Sequence, residues 1–481
     1  MSSGPALVWF RNDLRVSDNP ALSAAVATGR PILPLYVLDE TPAQRPLGGA
    51  QRWWLDGSLR ALGEDLAKLG LTLALRRGPA TEIVREIVAA EGVKNVFWNR
   101  RYDPASRERD KALKADLKEK GVAVESYNGA LLTEPWTLKT GSGRHFQVFT
   151  PFWRSLLAKA AIEPPLPALA GPLTPARAIA SDDLNGWGLT PTKPDWAGGL
   201  RANWTPGSAG ALTRLQEFLG KGLQGYDDGR NRPDLPFTSR LSPHLQWGEI
   251  SPRQVWRAVK THCAAHARAE SDGMAYLREL GWRDFAHVLL YHAPSLVDQP
   301  IKAEFARFPW RSSPDALEAW RRGRTGYPIV DAGMRELWHT GWMHNRVRMI
   351  VGSFLIKDLL IDWREGERWF WDTLVDACPA NNPASWQWVA GCGADAAPFF
   401  RIFNPTLQGA KFDPEGAYVR RWVPELAKLP NSVIHQPWTM DERQLRAAGI
   451  TLGRDYPKPI VDHGQARDLA LAALASIKSA A

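Results

Sequence analysis

The first 130 residues alternate between two hydrophobic patterns. Residues 6–10 (ALVWF) and 31–38 (PILPLYVL) are apolar runs of strand length. TLALRRG at 72–78, NVFWN at 95–99 and VAVESY at 122–127 continue the series. Between them, around 18–28, 55–69, 80–91 and 104–120, apolar residues recur every three to four positions, which predicts amphipathic helices. Near-continuous apolar strands separated by helices predict a mostly parallel sheet with helices on both faces. Residues 130–205 lose both patterns, first in LLTEPWTLKTGSGRHFQVFTPF and then in a proline-rich run through PPLPALAGPLTP. A stretch of that length reads as a connection between domains. Helical spacing then returns at 206–220, 251–267, 271–293, 314–321, 328–340, 343–361, 365–377 and 415–427, and an alanine-rich amphipathic segment follows at 464–479. The expected organisation is an α/β domain over 1–130, a linker over 131–205 and an all-helical domain over 206–481.

Composition narrows the function. A chain of 481 residues, 44% hydrophobic and 23% charged, is long enough for two domains with sizeable cores. A net charge of +9 favours a polyanion such as nucleic acid as partner. Cys263, Cys378 and Cys392 lie far apart with no metal-ligand spacing, which fits a reducing cytoplasm and no structural disulfide. The chain enters ALVWF after five residues, so no signal peptide is expected. No apolar run reaches the length of a membrane-spanning helix. The unusual feature is 23 tryptophans. Most must be core packing, yet indoles a few ångströms apart can also pass an electron to a photoexcited flavin.

The stretch from Asp376 to Asn404 concentrates the candidate chemistry. Asn381, Asn382 and Pro383 interrupt an apolar run, Ser385 is placed to cap a new helix, and Trp386 and Trp388 follow. Gly391, Gly393 and Asp395 imply sharp bends or a close backbone approach. Small residues, amides and flat aromatics together suit a pocket for something large and flat, the alternative being a tryptophan-rich core corner. TSRLSP at 238–243 offers the hydroxyls of Thr238, Ser239 and Ser242 beside Arg240, a set able to hold a diphosphate or simply to cap a helix. GYDDGRNRPD at 225–234 carries Arg230 and Arg232 on a loop that serves either phosphate contact or solvent. In TGWMHNRVRM at 340–349, Asn345 and Met349 share a helical face. A buried arginine there needs a partner, for which Asp376 is a candidate. His344 and the histidines of HVLLYH lack a zinc frame. No dinucleotide fingerprint, Walker loop or nucleophile elbow is present.

Taken in order, WFRNDLRVSDNPAL, TSRLSP, TGYPIVDAGMREL, TGWMHNRVRM, IDWREGERWF, NNPASWQWVAGCGADAAPFFRIFNP and QGAKFD resemble the photolyase/cryptochrome family across the whole chain, and within it the bacterial photolyases that act on cyclobutane pyrimidine dimers. The resemblance implies an N-terminal α/β domain able to hold an antenna chromophore and a helical domain binding FAD folded over on itself. It assigns FAD contacts to Tyr226, Thr238, Ser239, Leu241 and Ser242, and places Trp342, Asn345, Arg348, Asp376 and Asn382 around the flavin ring, with Asn382 facing the redox-active ring nitrogen. It assigns Glu279, Trp282, Met349 and Trp388 to the lesion pocket and Arg230, Arg283 and Arg346 to its phosphate-binding rim. Trp386, Trp363 and Trp310 match a three-indole photoreduction chain.

The implied activity is light-driven repair of UV-damaged DNA by reduced FAD, with a blue-light photoreceptor of the cryptochrome kind as the alternative. The implied protein is a cytoplasmic, nucleoid-associated monomer with no membrane or obligate protein partner. Two features depart from the family pattern. Cys378 stands where relatives usually carry a second acidic residue near the flavin. Ser106 and Arg107 stand about where some folate-binding relatives have Asn and Glu, so the antenna stays open between a pterin such as methenyltetrahydrofolate, which is favoured, a deazaflavin and no antenna.

Overall fold

The computed structural model describes residues 4–395 and 400–479. Strands β1 (Ala6–Phe10), β2 (Ile32–Leu38), β3 (Ala74–Arg77), β4 (Asn95–Asn99) and β5 (Ala123–Tyr127) form one parallel sheet in the order β3-β2-β1-β4-β5. Every residue of β1 and β2 is buried, as unbroken apolar runs require in a sheet covered on both faces. Helices α1 (Pro20–Ala27), α2 (Gly49–Lys68), α3 (Ala80–Ala90) and α4 (Pro104–Glu119) alternate with the strands. One core cluster gathers Leu7, Trp9, Leu35, Val84, Ile87, Val96, Trp98, Leu113 and Val124 between sheet and helices.

The direction of winding reverses at β1, whose neighbours are β2 and β4. The loop leaving β1 is closed by its own side chains. Asp13 accepts hydrogen bonds from the Arg11 backbone at 2.6 Å and from Asn99 Nδ2 at 2.6 Å. Arg11 pairs with Asp110 at 2.8 Å and lies over the Trp9 ring.

Residues 128–205 are mostly irregular, but they contain helix α5 (Phe149–Lys159), which the sequence pattern missed. Its apolar positions, Phe149, Phe152 and Leu156, are spaced as a helix and buried. The run FTPF and the surrounding Gly and Pro obscured them. Beyond 206 the chain is helical, including Pro252–Ala265, Glu270–His292, Pro328–Thr340, Asn345–Ser353, Trp363–Thr373, Asn381–Ala390 and His463–Ser479.

By packing, the chain divides into two compact units. One comprises Met1–Gln224, Ser239–Pro294 and Val375–Cys378. The other comprises Gly225–Thr238, Ser295–Leu374 and Pro379–Ala481. No helix of the described residues is long and apolar enough to cross a membrane, and no group of three or more His, Cys, Asp or Glu among them could hold a metal ion.

Candidate functional site

Helix Asn381–Ala390 is short, and its neighbours decide what each residue does. It starts five residues earlier than expected: Ser385 lies inside the helix and caps nothing, because Pro383 is tolerated in a first turn where its missing N–H costs no hydrogen bond. Gly391 ends it in the left-handed conformation, at φ 88°. Successive residues turn by about 100°, so Asn382 and Trp386 share a face while Trp388 points away from it.

On the buried face, Asn382 donates both amide hydrogens to Glu367, one to the carboxylate at 2.8 Å and one to the backbone carbonyl at 3.0 Å. Trp386 packs edge-on against Phe370 and Trp320, with ring centroids 4.9 and 6.2 Å apart. On the other face, half-buried Trp388 donates its indole N–H to the Asp395 carbonyl at 3.0 Å. The part of this stretch from 396 to 399 lies outside the described residues.

Helix Trp363–Thr373 supplies the matching surface. Trp363, Gly366, Glu367, Phe370 and Thr373 are its buried positions, the first four at i, i+3, i+4 and i+7. A glutamate in an otherwise apolar stripe is the signal that would have found Glu367, which motif reading passes over. Trp363 is 1% exposed and Trp310 half-buried. The Arg311 N–H, next to Trp310, bonds the Leu360 carbonyl at 2.7 Å, three residues before Trp363. Phe308 lies 4.3 Å from the Trp310 ring.

The Asn345–Ser353 helix of the same unit carries the cations. His344 is its N-cap, accepting from the Arg346 N–H at 3.2 Å, and is not a helix-face residue as the spacing implied. Burial, then the charges of Arg346, Arg348 and Arg230, push its pKa down to about 3, so it is neutral. The guanidinium of Arg346 does not seek a carboxylate. It donates to Asn231 Oδ1 at 2.6 and 3.2 Å and lies over Phe412. Burial, then Arg230 and Arg401, lowers its pKa, which marks three guanidinium groups near one another. Met349 Sδ lies 3.8 Å from Arg346. Arg348 Nε donates to the Met343 carbonyl at 2.8 Å and its guanidinium approaches the buried Trp342 ring. Tyr226 opens the turn Tyr226–Gly229, with Arg230 over its ring at 5.3 Å.

In the other unit, the extended segment Val375–Cys378 is pinned residue by residue. Trp247 Nε1 donates to the Val375 carbonyl at 3.1 Å, Ser242 Oγ to Asp376 at 2.6 Å, and Gln51 Nε2 to the Ala377 carbonyl at 2.9 Å. Cys378 Sγ lies 4.0 Å from His287 Nε2. Burial and then Arg283 push His287 down to about 3, so the imidazole beside this thiol is neutral. Tyr276 donates to Ser239 at 3.0 Å, and the Leu241 N–H to Ser239 Oγ at 3.3 Å. Arg240, beside them, takes a positive φ of 53° and lies over Trp204.

Trp282 and Glu279 share one face of helix Glu270–His292, and Phe149 stacks on Trp282 at 3.7 Å with planes 9° apart. One side of that indole is thereby covered by protein. Arg283 turns inward, to the carbonyls of Ala130 and Leu245, and its side chain is only 13% exposed. In α4, Ser106 is buried with its hydroxyl unbonded among the described residues, and Arg107 stacks 3.8 Å over the Tyr291 ring while donating to the Tyr291 carbonyl.

Sequence comparison matches residues 6–172 to the DNA photolyase family and residues 276–476 to the FAD-binding domain of DNA photolyase. A deoxyribodipyrimidine photo-lyase of Agrobacterium fabrum is 52% identical over 99% of both chains. Cryptochrome-1 of Arabidopsis thaliana is 40% identical over 97% of this chain and 69% of its own. A crystal structure of a bacterial class III photolyase from Agrobacterium tumefaciens superposes with a TM-score of 0.96 at 52% identity, covering all of this chain and 98% of that one. A five-stranded parallel α/β domain, a helical FAD-binding domain and relatedness over the full length place the chain in the photolyase/cryptochrome family.

Proposed function

We propose that the protein repairs cyclobutane pyrimidine dimers in UV-damaged DNA under near-ultraviolet or blue light. The two carbon–carbon bonds linking the bases break and the two ring double bonds re-form, with no net oxidation or reduction. FAD, when bound, supplies the light-excited electron donor, and the protein supplies position and electrostatics. The observation that carries the reading is the helix Asn381–Ala390, with Asn382 and Trp386 on one face and Trp388 on the other.

The donor set fits a flavin. Asn382 spends both amide hydrogens on Glu367, so it can present only an acceptor, and a flavin ring nitrogen carrying a proton is a matching donor. Tyr226, Thr238, Ser239, Leu241 and Ser242 would hold the phosphates and ribityl chain, and Trp342, Asn345, Arg348 and Asp376 the ring surroundings. Trp310, Trp363 and Trp386 would carry electrons inward to prime the cofactor. Trp282 and Trp388 would flank the flipped bases, since flat rings bind flat bases and exclude water. Glu279 would bond the base edges, and Met349 would line the lesion pocket. Arg230, Arg283 and Arg346 would take phosphates. In this reading residues 1–130 hold the antenna, 131–205 connect, and 206–481 hold FAD and DNA. The antenna is a pterin by preference and a deazaflavin otherwise, and with Arg107 committed to Tyr291 it gains no carboxylate at that position. The protein works as a cytoplasmic monomer on nucleoid DNA.

The lesion assignment has a physical basis. Relatives that repair the (6-4) photoproduct use a histidine pair, and this chain has Asn345 and Met349 at the matching positions. His344, held neutral and capping its helix, cannot replace a proton donor. Reduced protein is to be given each lesion separately, in light and in darkness, and restored bases measured. Light-dependent repair of the cyclobutane dimer alone is expected; repair only of the other lesion, or equal repair in darkness, overturns the reading. The second reading, a blue-light photoreceptor signalling to a protein, is favoured by the 40% identity to a plant cryptochrome. It gains if UV-damaged DNA binds no better than intact DNA.

A further inference from the structure

Two stretches of one compact unit carry cations and no carboxylate. Residues 135–162 include Lys139, Arg144, Arg154 and Lys159, and residues 250–269 include Arg253, Arg257, Lys260 and Arg268. Several basic side chains elsewhere on the surface are neutralised locally, as in Arg60–Asp56, Lys68–Asp65, Arg85–Asp116 and Arg322–Glu318. Here Arg253 turns inward to Asp18, but Arg154, Arg257 and Lys260 are exposed and no carboxylate pairs with them among the described residues.

The fold joins the two stretches through aromatic rings. Helix α5 carries Trp153 and helix Pro252–Ala265 carries Trp256; both indoles are half-buried, and their centroids lie 6.2 Å apart at 61°. Phe149 stacks on Trp153 at 6.3 Å and 14°, and on Trp282 at 3.7 Å and 9°, so three rings lie nearly parallel in a row. Trp153 reaches this position because Gly281 has no side chain: a Cβ there would stand 2.6 Å from its ring. Arg278, exposed one helical turn before Trp282, lies over Phe149 at 5.5 Å.

We propose that this face, built from Arg154, Arg257, Lys260 and Arg278 around Trp153 and Trp256, is a second nucleic-acid surface, taking the stretch of DNA that continues past Trp282. The proposal rests on the DNA reading above and extends it to residues outside the lesion pocket. Unneutralised guanidinium and ammonium groups match backbone phosphates. Half-exposed indoles among them match the flat faces of unpaired bases, which an acidic protein partner would not need.

The test uses the full-length, FAD-loaded protein and labelled duplexes carrying one cyclobutane dimer, with binding measured between about 50 and 200 mM salt. The variant Arg154→Ala/Arg257→Ala/Lys260→Ala is expected to flatten the plot of log affinity against log salt by about 0.9 for each phosphate it no longer neutralises. Its preference for damaged over intact DNA is expected to stay. The charge-preserving variant Arg154→Lys/Arg257→Lys/Lys260→Arg is expected to keep the wild-type slope, which separates an effect of charge from an effect of folding. Trp153→Leu/Trp256→Leu is expected to weaken single-strand binding about tenfold with the slope unchanged. On a duplex trimmed close to the lesion, the alanine variant and the wild type are expected to bind alike. Wild-type slope and affinity in the alanine variant on the long duplex overturn the proposal. Equal binding of damaged and intact DNA by the wild type overturns the repair reading instead, and the slope comparison still decides the surface.

Discussion

The indole of Trp386 occupies the space that a side chain on Gly366 would need: a Cβ there would stand 2.1 Å from Trp386 Cη2. Gly352, on another helix, faces the same ring at an ordinary 3.5 Å. Two glycines thus bracket one indole, but only the first is a steric necessity. Gly366→Ala is expected to cost about 1–3 kcal/mol by overpacking and to slow light-driven flavin reduction, while Gly352→Ala stays near neutral. Thermal unfolding and flavin absorbance measure both. Equal costs at the two sites would show that the Trp386 ring moves freely.

Trp386→Phe and Trp363→Phe are each expected to slow photoreduction strongly in the presence of an external reductant, yet leave repair by chemically reduced protein near the wild-type yield. The stability loss should stay below the roughly 3–5 kcal/mol of a full Trp truncation, since an aromatic ring still fills most of the space. Unchanged photoreduction in both variants makes these indoles core residues only.

Asn382→Asp would set a second carboxylate against Glu367, where the amide now donates at 2.8 Å. Two such groups cannot both ionise cheaply, so one is expected to hold a proton with a raised pKa. Its contribution is favourable at low pH and is lost as pH rises, about 1.4 kcal/mol for each unit of upward shift. Thermal melting across pH tests this, with Glu367→Gln in the same background expected to restore the wild-type profile. An Asn382→Asp profile identical to the wild type sinks the argument.

Acid should expose the buried histidines. Burial, with Arg283 beside one and Arg346 beside the other, holds His287 and His344 at about 3. Between that value and the free-imidazole value of about 6.5, the unfolded chain binds protons that the native chain refuses. Stability therefore falls with falling pH across this window, by about 1.4 kcal/mol per pH unit for each histidine. Asp284 acts in the opposite sense: burial raises its carboxyl to about 7, so its contribution is lost as pH rises from the ordinary carboxylate range toward that value. The difference between wild type and His287→Gln isolates one group. Chemical unfolding at a series of pH values is expected to show a shallower acid slope for the variant by one proton, and parallel slopes would contradict neutral burial.

Arg346→Ala is expected to weaken damaged and intact DNA alike and to reduce the salt slope by about 0.9. Asn231→Ala removes only the acceptor that orients the guanidinium, at 2.6 Å, so it should lower affinity less and leave the slope intact. Electrophoretic or anisotropy titrations at several salt concentrations distinguish the two. A full loss of slope in Asn231→Ala would assign the phosphate contact to something other than the Arg346 charge.

The sheet is legible in the sequence because its strands are short apolar runs with one available explanation, burial on both faces, and all five appear within a residue or two of their expected limits. The first-loop network of Arg11, Asp13, Asn99 and Asp110 is not, because its members are up to 99 residues apart and only the fold brings them together. Helix α5 is hidden by its own proline and by glycine-rich flanks. Within the site, hydroxyls, amides and indoles can be named from motifs, whereas Glu367, Asn231 and Phe149 matter only through what they touch. Glu367 alone leaves a trace, a charge in an apolar stripe. Around His344 the helical spacing runs two residues too far back, which turns an N-cap into a face position.

The division of helix Asn381–Ala390 into two faces also bears on how such a sequence can change over generations. Substitutions at Trp386 or Trp388 act on one face at a time, so the proposed electron path and the proposed base-facing side can drift independently. An inserted or deleted residue between Asn382 and Trp386 rotates everything beyond it by about 100° and disturbs both at once. Length between these two positions should accordingly be far less variable than identity on either face, a rule of inheritance set by the pitch of ten residues.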